Sequence, residues 1–289
     1  MPPFEKHIEI SESNQTAISV LAIACPEISI QKLKLAMQYG AVWLSPSDKS
    51  SQNKTQRIRR AKKTLQEGDK LHLYFDESIL FSPISPAKLI SDEGQYSVWN
   101  KPCGMFSQGT KWGDHNSIAR WVELFGLEKN KIEKRATFLV HRLDRATSGL
   151  IMVSHSKKAT RLLAHLFESR QVEKKYQAFV KGEFPEKLVL KEITGSIDNK
   201  PALSIVLSSV YDIEFSQSLL TIQIKTGRKH QIRKHLATIG FPIIGDRLYG
   251  KSNKLELPDL RLQSRYLFFT CPITKSERTY NLASLLWKR

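Results

Sequence analysis

One segment restricts the folding choices of this chain more than any other. His141-Arg142-Leu143-Asp144-Arg145-Ala146-Thr147-Ser148-Gly149 sets charged and polar residues between two apolar runs, Phe138-Leu139-Val140 and Leu150-Ile151-Met152-Val153. Short apolar runs interrupted by a polar loop read as buried strands joined at one end of a sheet. A loop of that kind holds its polar groups on a rigid scaffold. Taken alone, the residues leave two readings open. Either Arg142 or Arg145 pairs with Asp144 on a solvated surface, or the carboxylate is presented for chemistry.

The rest of the chain supplies the frame. Ala17–Cys25 suits a helix stopped by Pro26, and Ser29–Tyr39 a second one with Ile30, Leu33 and Met37 on one face, ended at Gly40. Ala41–Leu44 reads as a short strand, and Leu71, Leu73 and Phe75 alternate as in a half-buried strand. Prolines and serines place a linker over 79–94, between a small unit at 1–78 and a larger domain at 95–289. In the larger part, Ser117 is placed to cap a helix carrying Ile118, Trp121, Val122 and Phe125, and a further helix covers Lys157–Arg170. Strand patterns occupy Gly149–His155, Lys175–Lys181, Leu203–Glu214, Leu219–Lys225 and Arg261–Phe269. Several strands with scattered helices predict an α+β domain around a mixed sheet.

Charge narrows the partner. Lys and Arg number 45 against 28 acids, a formal net charge of +17. Such an excess favours a polyanion, because each neutralised phosphate releases condensed counterions. Cys25, Cys103 and Cys271 are odd in number and widely spaced, which excludes a disulfide framework or a cysteine zinc site. No apolar stretch is long enough to span a bilayer and Met1–Ile10 has no signal-peptide core, so a cytoplasmic location without membrane contact is expected.

Two more segments carry polar residues into apolar surroundings. Asn100-Lys101-Pro102-Cys103-Gly104 forms a turn after Tyr96-Ser97-Val98-Trp99. Lys225–His235 holds five Lys/Arg and two His without one acid, and passes from strand through Gly227 into a helix. A strand–turn–helix of that charge suits phosphate. His230 and His235 lack a carboxylate or cysteine at ligand spacing, so no metal is expected.

Together these segments resemble the RluA-type family of RNA pseudouridine synthases. The family's H-R-L-D-x-x-T-S-G loop is met at His141–Gly149, its N-K-P-x-G turn at Asn100–Gly104, its K-x-Y-x-A-x-V strand at Lys174–Val180, and its T-G-R-x-H-Q-I-R-x-H-L segment at Thr226–Leu236. Leu262-Gln263-Ser264 stands where the family has leucine-histidine-alanine. The resemblance implies the family's mixed, mainly antiparallel sheet with flanking helices, and isomerisation of uridine in RNA to pseudouridine without cofactor. It implies Asp144 as the carboxylate acting at the ribose, either at C1′ or on the 2′ proton. Arg233 is then the cation that pairs with it, and Tyr176 is the third catalytic residue, packing the flipped base first and helping to remove the C5 proton second. Further expected RNA contacts are His141, Arg142, Arg228, Lys229, His230 and Lys101. Over 1–78 the chain is similar, in degenerate form, to the RNA-binding module named after ribosomal protein S-four. The basic run Lys54–Lys63, with Arg57, Arg59 and Arg60, is its expected RNA surface. Ribosomal RNA is the first expected target and transfer RNA the second, for a monomeric enzyme. The rival reading is a non-catalytic RNA-binding or ribosome-assembly protein on the same fold, which leaves the Asp144, Tyr176 and Arg233 set unexplained.

Overall fold

The computed structural model describes residues 1–48, 54–83, 85–250 and 259–283. The chain forms two compact units, Met1–Ile84 with Gln108–Trp121, and Ser85–Ser107 with Val122–Arg289.

The first unit is a four-stranded antiparallel sheet backed by helices. Its strands β1 (Phe4–Glu9), β2 (Val42–Ser45), β3 (Gln56–Arg57) and β4 (Lys70–Phe75) lie in the order β1-β4-β2-β3. Helices α1 (Ala17–Ala24) and α2 (Ile30–Gln38) start where their caps predict, with the Thr16 and Ser29 hydroxyls accepting from the backbone N–H of Ser19 and Lys32. Leu21, Leu33, Met37, Leu71, Leu73 and Phe75 are fully or almost fully buried in its core. Short helices α3 (Glu77–Leu80) and α4 (Ile118–Trp121) complete it.

The second unit is built on one sheet. Its strands are β5 (Lys88–Asp92), β6 (Tyr96–Lys101), β7 (Phe138–Leu139), β8 (Ser148–Ser154), β9 (Glu173–Lys181), β10 (Glu192–Ile197), β11 (Lys200–Asp212), β12 (Gln217–Ile224), β13 (Leu262–Thr270) and β14 (Glu277–Asn281). The path is β10-β11-β12-β9-β13-β8-β6-β5, with β14 on β13 and β7 on β8. Every pairing is antiparallel except β8 with β13. Helices α5 (Leu127–Lys129), α6 (Lys157–Glu168) and α7 (Gln231–Thr238) flank it. Strand β8 is buried along its whole length, as its apolar run predicts, and Leu163 and Leu166 of α6 share a core with Leu150 and Met152.

Three expectations about organisation change. The stretch 79–94 is not simply a linker, since it contains β5, which pairs with β6. An edge strand of alternating exposure, with only one neighbour, leaves little apolar signal in the sequence. The larger domain is not continuous from 95, because Gln108–Trp121 packs into the first unit. There His115 stacks on Tyr39 with centroids 4.0 Å apart, and Trp112 meets the ring of Tyr74 edge-on. The helix after Ser117 is regular only over α4, and Val122–Gly126 winds as a wider π-turn that shifts the face and leaves Phe125 42 % exposed.

Candidate active site

The loop between β7 and β8 and the turn between β12 and α7 meet over the middle of the second sheet. Their facing side creates a cleft lined by Arg142, Asp144, Tyr176, Arg228, His230 and Arg233. Six of the residues expected from sequence thus converge from three separate elements. Lys229 is exposed on the same turn.

Local bonding explains why the turn is held in this shape. The Gln231 side chain accepts from the Thr226 hydroxyl at 2.6 Å and the Arg228 backbone N–H at 3.1 Å, and donates to the Leu203 carbonyl. His230 takes a left-handed backbone with φ +56°, a conformation that costs an ordinary residue about 1–2 kcal/mol. Its Nδ1 meets the Tyr249 hydroxyl at 2.9 Å, which leaves Nε2 3.8 Å from the Asp144 carboxylate, too long for a hydrogen bond. Burial lowers the His230 pKa; Asp144 works against that, while Arg233 and nearby lysines reinforce it.

Arg233 corrects the sequence reading. Its guanidinium does not pair with Asp144 but grips Asp246 with two bonds, Nε at 2.8 Å and Nη2 at 2.7 Å. Both side chains are buried, and Asp246 also accepts from the backbone N–H of Leu248 and Tyr249. The fork of a guanidinium matches a carboxylate held rigidly at its own depth, and Asp246 offers that while half-open Asp144 does not. Desolvation, which acts to lower the Arg233 pKa, is outweighed by Asp246 and, to a smaller extent, Asp144, so the guanidinium stays charged. The tyrosine ring of Tyr249 lies 5.2 Å from Arg233.

Tyr176 stands on β9 between β12 and β13, opposite Ile222 and Ser264. Burial pushes its phenol up to about 12; the Ser264 hydroxyl acts against this and the charge on Asp144 adds to it. At neutral pH the phenol therefore keeps its proton.

Four expected RNA contacts turn inward instead. His141 stacks on Phe167 at 4.1 Å, and its Nε2 accepts the Met152 backbone N–H. Burial depresses its pKa to about 3, so it is a neutral strut between loop and strand. Lys101 is 0 % exposed, and its ammonium donates to the carbonyls of Pro102, Met105 and Arg145. Burial lowers it to about 7. It ties the Asn100–Gly104 turn to the residue after Asp144. In the first unit Arg57 bonds the carbonyls of Gly40 and Thr110 and lies over Trp43, while Arg59 bonds the Gln38 carbonyl and Asp114. Turn carbonyls left unpaired by short strands attract these guanidinium groups more strongly than solvent does. Arg60 alone of the three is exposed.

The sequence reading gave no role to Asp246, Gln231 or Tyr249. The run Gly245-Asp246 after Pro242 was the available signal, since an acid set in an apolar turn calls for a buried partner.

The family model described as RNA pseudouridylate synthase matches residues 95–238. Human RNA Pseudouridylate Synthase Domain Containing 1 has a similar fold, with a TM-score of 0.56 at 20 % identity over 70 % of this chain and 86 % of that one. The tRNA pseudouridine synthase C of Haemophilus ducreyi is 30 % identical over 62 % of this chain and 84 % of its own length. The ribosomal large subunit pseudouridine synthase D of Borreliella burgdorferi is 30 % identical over 70 % of this chain and 68 % of its own. The chain belongs to the RluA-type family of RNA pseudouridine synthases.

Proposed function

We propose that this cleft converts specific uridines of structured RNA to pseudouridine with Asp144 as the group acting at the ribose. The observation that carries the reading is the convergence of Asp144 from the β7–β8 loop, Tyr176 from β9, and His230 and Arg233 from the turn into α7 on one cleft. In the reaction the N1–C1′ bond breaks with its electron pair leaving on the base. The base turns, C5 bonds to C1′, the C5 proton leaves and N1 gains one. Either the Asp144 carboxylate bonds C1′ and is later displaced, or it takes the 2′ proton and returns it. Both routes balance without a redox partner or a group donor. A glycosidase needs a second carboxylate to deliver water, and among the described residues that line the cleft Asp144 is the only carboxylate.

Asp246 fixes where the Arg233 guanidinium sits in the cleft that Asp144 also lines. Tyr176 packs against the base, as a phenol with its pKa near 12 is a poor proton acceptor. Arg142 and Arg228 flank the cleft and suit the neighbouring phosphates. Flipping the nucleotide costs a few kcal/mol and least in loops and bulges, so the target is a partly unpaired uridine. Ribosomal RNA is the proposed substrate, with the first unit as an S-four-like RNA module and Arg60 on its basic run.

Transcripts labelled with tritium at uridine C5 test the assignment. Wild type releases the label and Asp144→Ala does not, although it still binds RNA. Undiminished release by the variant would remove Asp144 from the chemistry. Mapping modified uridines in a deletion strain decides between ribosomal and transfer RNA.

A further inference from the structure

A second cavity of ≈ 580 Å³ lies on the other side of α7, between that helix and β10. Its volume falls within the range of about 300–1,000 Å³ in which proteins hold small ligands. His235 is 95 % buried on its wall, being 5 % exposed, and its Nε2 has no hydrogen-bond partner among the described residues. Buried nitrogen of that kind costs free energy unless something answers it. Its protonation follows from its neighbours. The Ser204 hydroxyl accepts from Gln231 Nε2 at 3.0 Å and meets His235 Nδ1 at 3.0 Å. The hydroxyl hydrogen is thus free to donate to Nδ1, the arrangement that puts the proton of the neutral ring on Nε2. Burial lowers the His235 pKa and keeps the ring neutral.

The remaining walls match a nucleotide. Ile193, Ile197 and Ile239 offer flat apolar contact, and no carboxylate lines the space among the described residues. Lys234 stands at the rim, its ammonium 3.5 Å from exposed Asp198, a loose surface pair that yields readily to phosphate. Tyr249 borders this cavity and also holds His230, which faces Asp144.

We propose that the cavity between α7 and β10 is a second nucleotide subsite, in which His235 Nε2–H donates to a base carbonyl and Lys234 holds the phosphate of a nucleotide flanking the target uridine. The proposal rests on RNA being the substrate of the adjacent cleft.

The test follows histidine ring nitrogens by NMR in the full-length protein, with uridine 5′-monophosphate and inorganic phosphate as probes. The His235 Nε2 signal shifts saturably with the nucleotide, in wild type and equally in Asp144→Ala. It does not shift in Gly195→Leu, because a Cβ at Gly195 already lies 3.9 Å from His235 Nε2 and a longer side chain fills the space. In tritium release from RNA, Gly195→Leu raises KM about tenfold, the loss of roughly one hydrogen bond, and keeps kcat. If the nucleotide moves His230 and leaves His235 still in wild type, the subsite does not exist. If inorganic phosphate shifts His235 as much as the nucleotide does, the cavity takes an anion and no base. A failure of Asp144→Ala to lose tritium release bears on the catalytic assignment alone, since His235 is read in both backgrounds.

Discussion

Removing the Asp246 carboxylate isolates a buried charge, and the structure sets the size of the effect. Asp246 has 0 % side-chain exposure and Arg233 5 %, and the carboxylate accepts four hydrogen bonds, two from Arg233 and one each from the Leu248 and Tyr249 backbone. Breaking such a pair from one side costs about 3–5 kcal/mol, because the remaining charge stays buried without compensation. For a unit of this size that corresponds to a fall in melting temperature of roughly 6–20 °C. Asp246→Ala also frees Arg233 and Tyr249, which position the groups facing Asp144, so turnover falls with stability. The cycle with Arg233→Met separates the two effects. The double variant has no orphan charge and recovers most of the lost stability, yet it stays slow in tritium release. Urea unfolding gives the free energies, and hydrogen exchange at the Leu248 and Tyr249 amides reports the local opening. A cost below about 1 kcal/mol for Asp246→Ala, or exchange at those two amides no faster than in wild type, would refute the reasoning.

Other consequences are equally open to measurement. His141→Leu leaves the Met152 N–H unanswered and lowers stability by about 1–3 kcal/mol, with RNA affinity unchanged in a filter assay. Neutralising exposed Arg60 lessens the slope of log affinity against log salt by up to about one phosphate contact, whereas Arg57→Ala lowers the melting temperature of the first unit and leaves that slope alone. Lys101 holds its proton only up to about 7 in the folded chain but up to 10.5 when unfolded, so the unfolded state binds more protons across that window. Stability therefore rises with pH between those values in the wild type, and Lys101→Met flattens that rise in urea titrations.

The cleft was legible in the sequence because its members sit in tight local patterns. Asp144 and His230 sit in turns beside plain apolar runs, and Tyr176 sits inside a strand whose alternation is plain in the residues around it. Which charges touch was not legible. Arg233 met Asp246 rather than Asp144, and no local spacing encodes the depth at which a carboxylate is fixed. Lys101 and His141 look like surface groups by type, yet each answers backbone atoms exposed by a turn or strand end. Sequence types show which groups can donate; only packing decides to whom. The same limit applies to the fold. The buried strand β8 and capped helices α1 and α2 declared themselves, while β1, β5 and β10 are edge strands with mixed exposure and little apolar signal. The placement of Gln108–Trp121 in the first unit depends on Tyr39 and Tyr74 meeting His115 and Trp112, partners that are distant in sequence.

The parallel seam between β8 and β13 also sets the order in which the enzyme is completed. Gly149 takes φ +110°, and a Cβ there would fall 2.2 Å from the Ser264 carbonyl oxygen, so only glycine lets the strand that anchors the Asp144 loop pack this closely against Leu262–Ser264. Those residues lie more than a hundred positions further along the chain. Pairings of such long range form late, after the entropy of closing a large loop has been met. A ribosome that has made the whole signature loop, Tyr176 and even α7 has therefore not yet made a synthase.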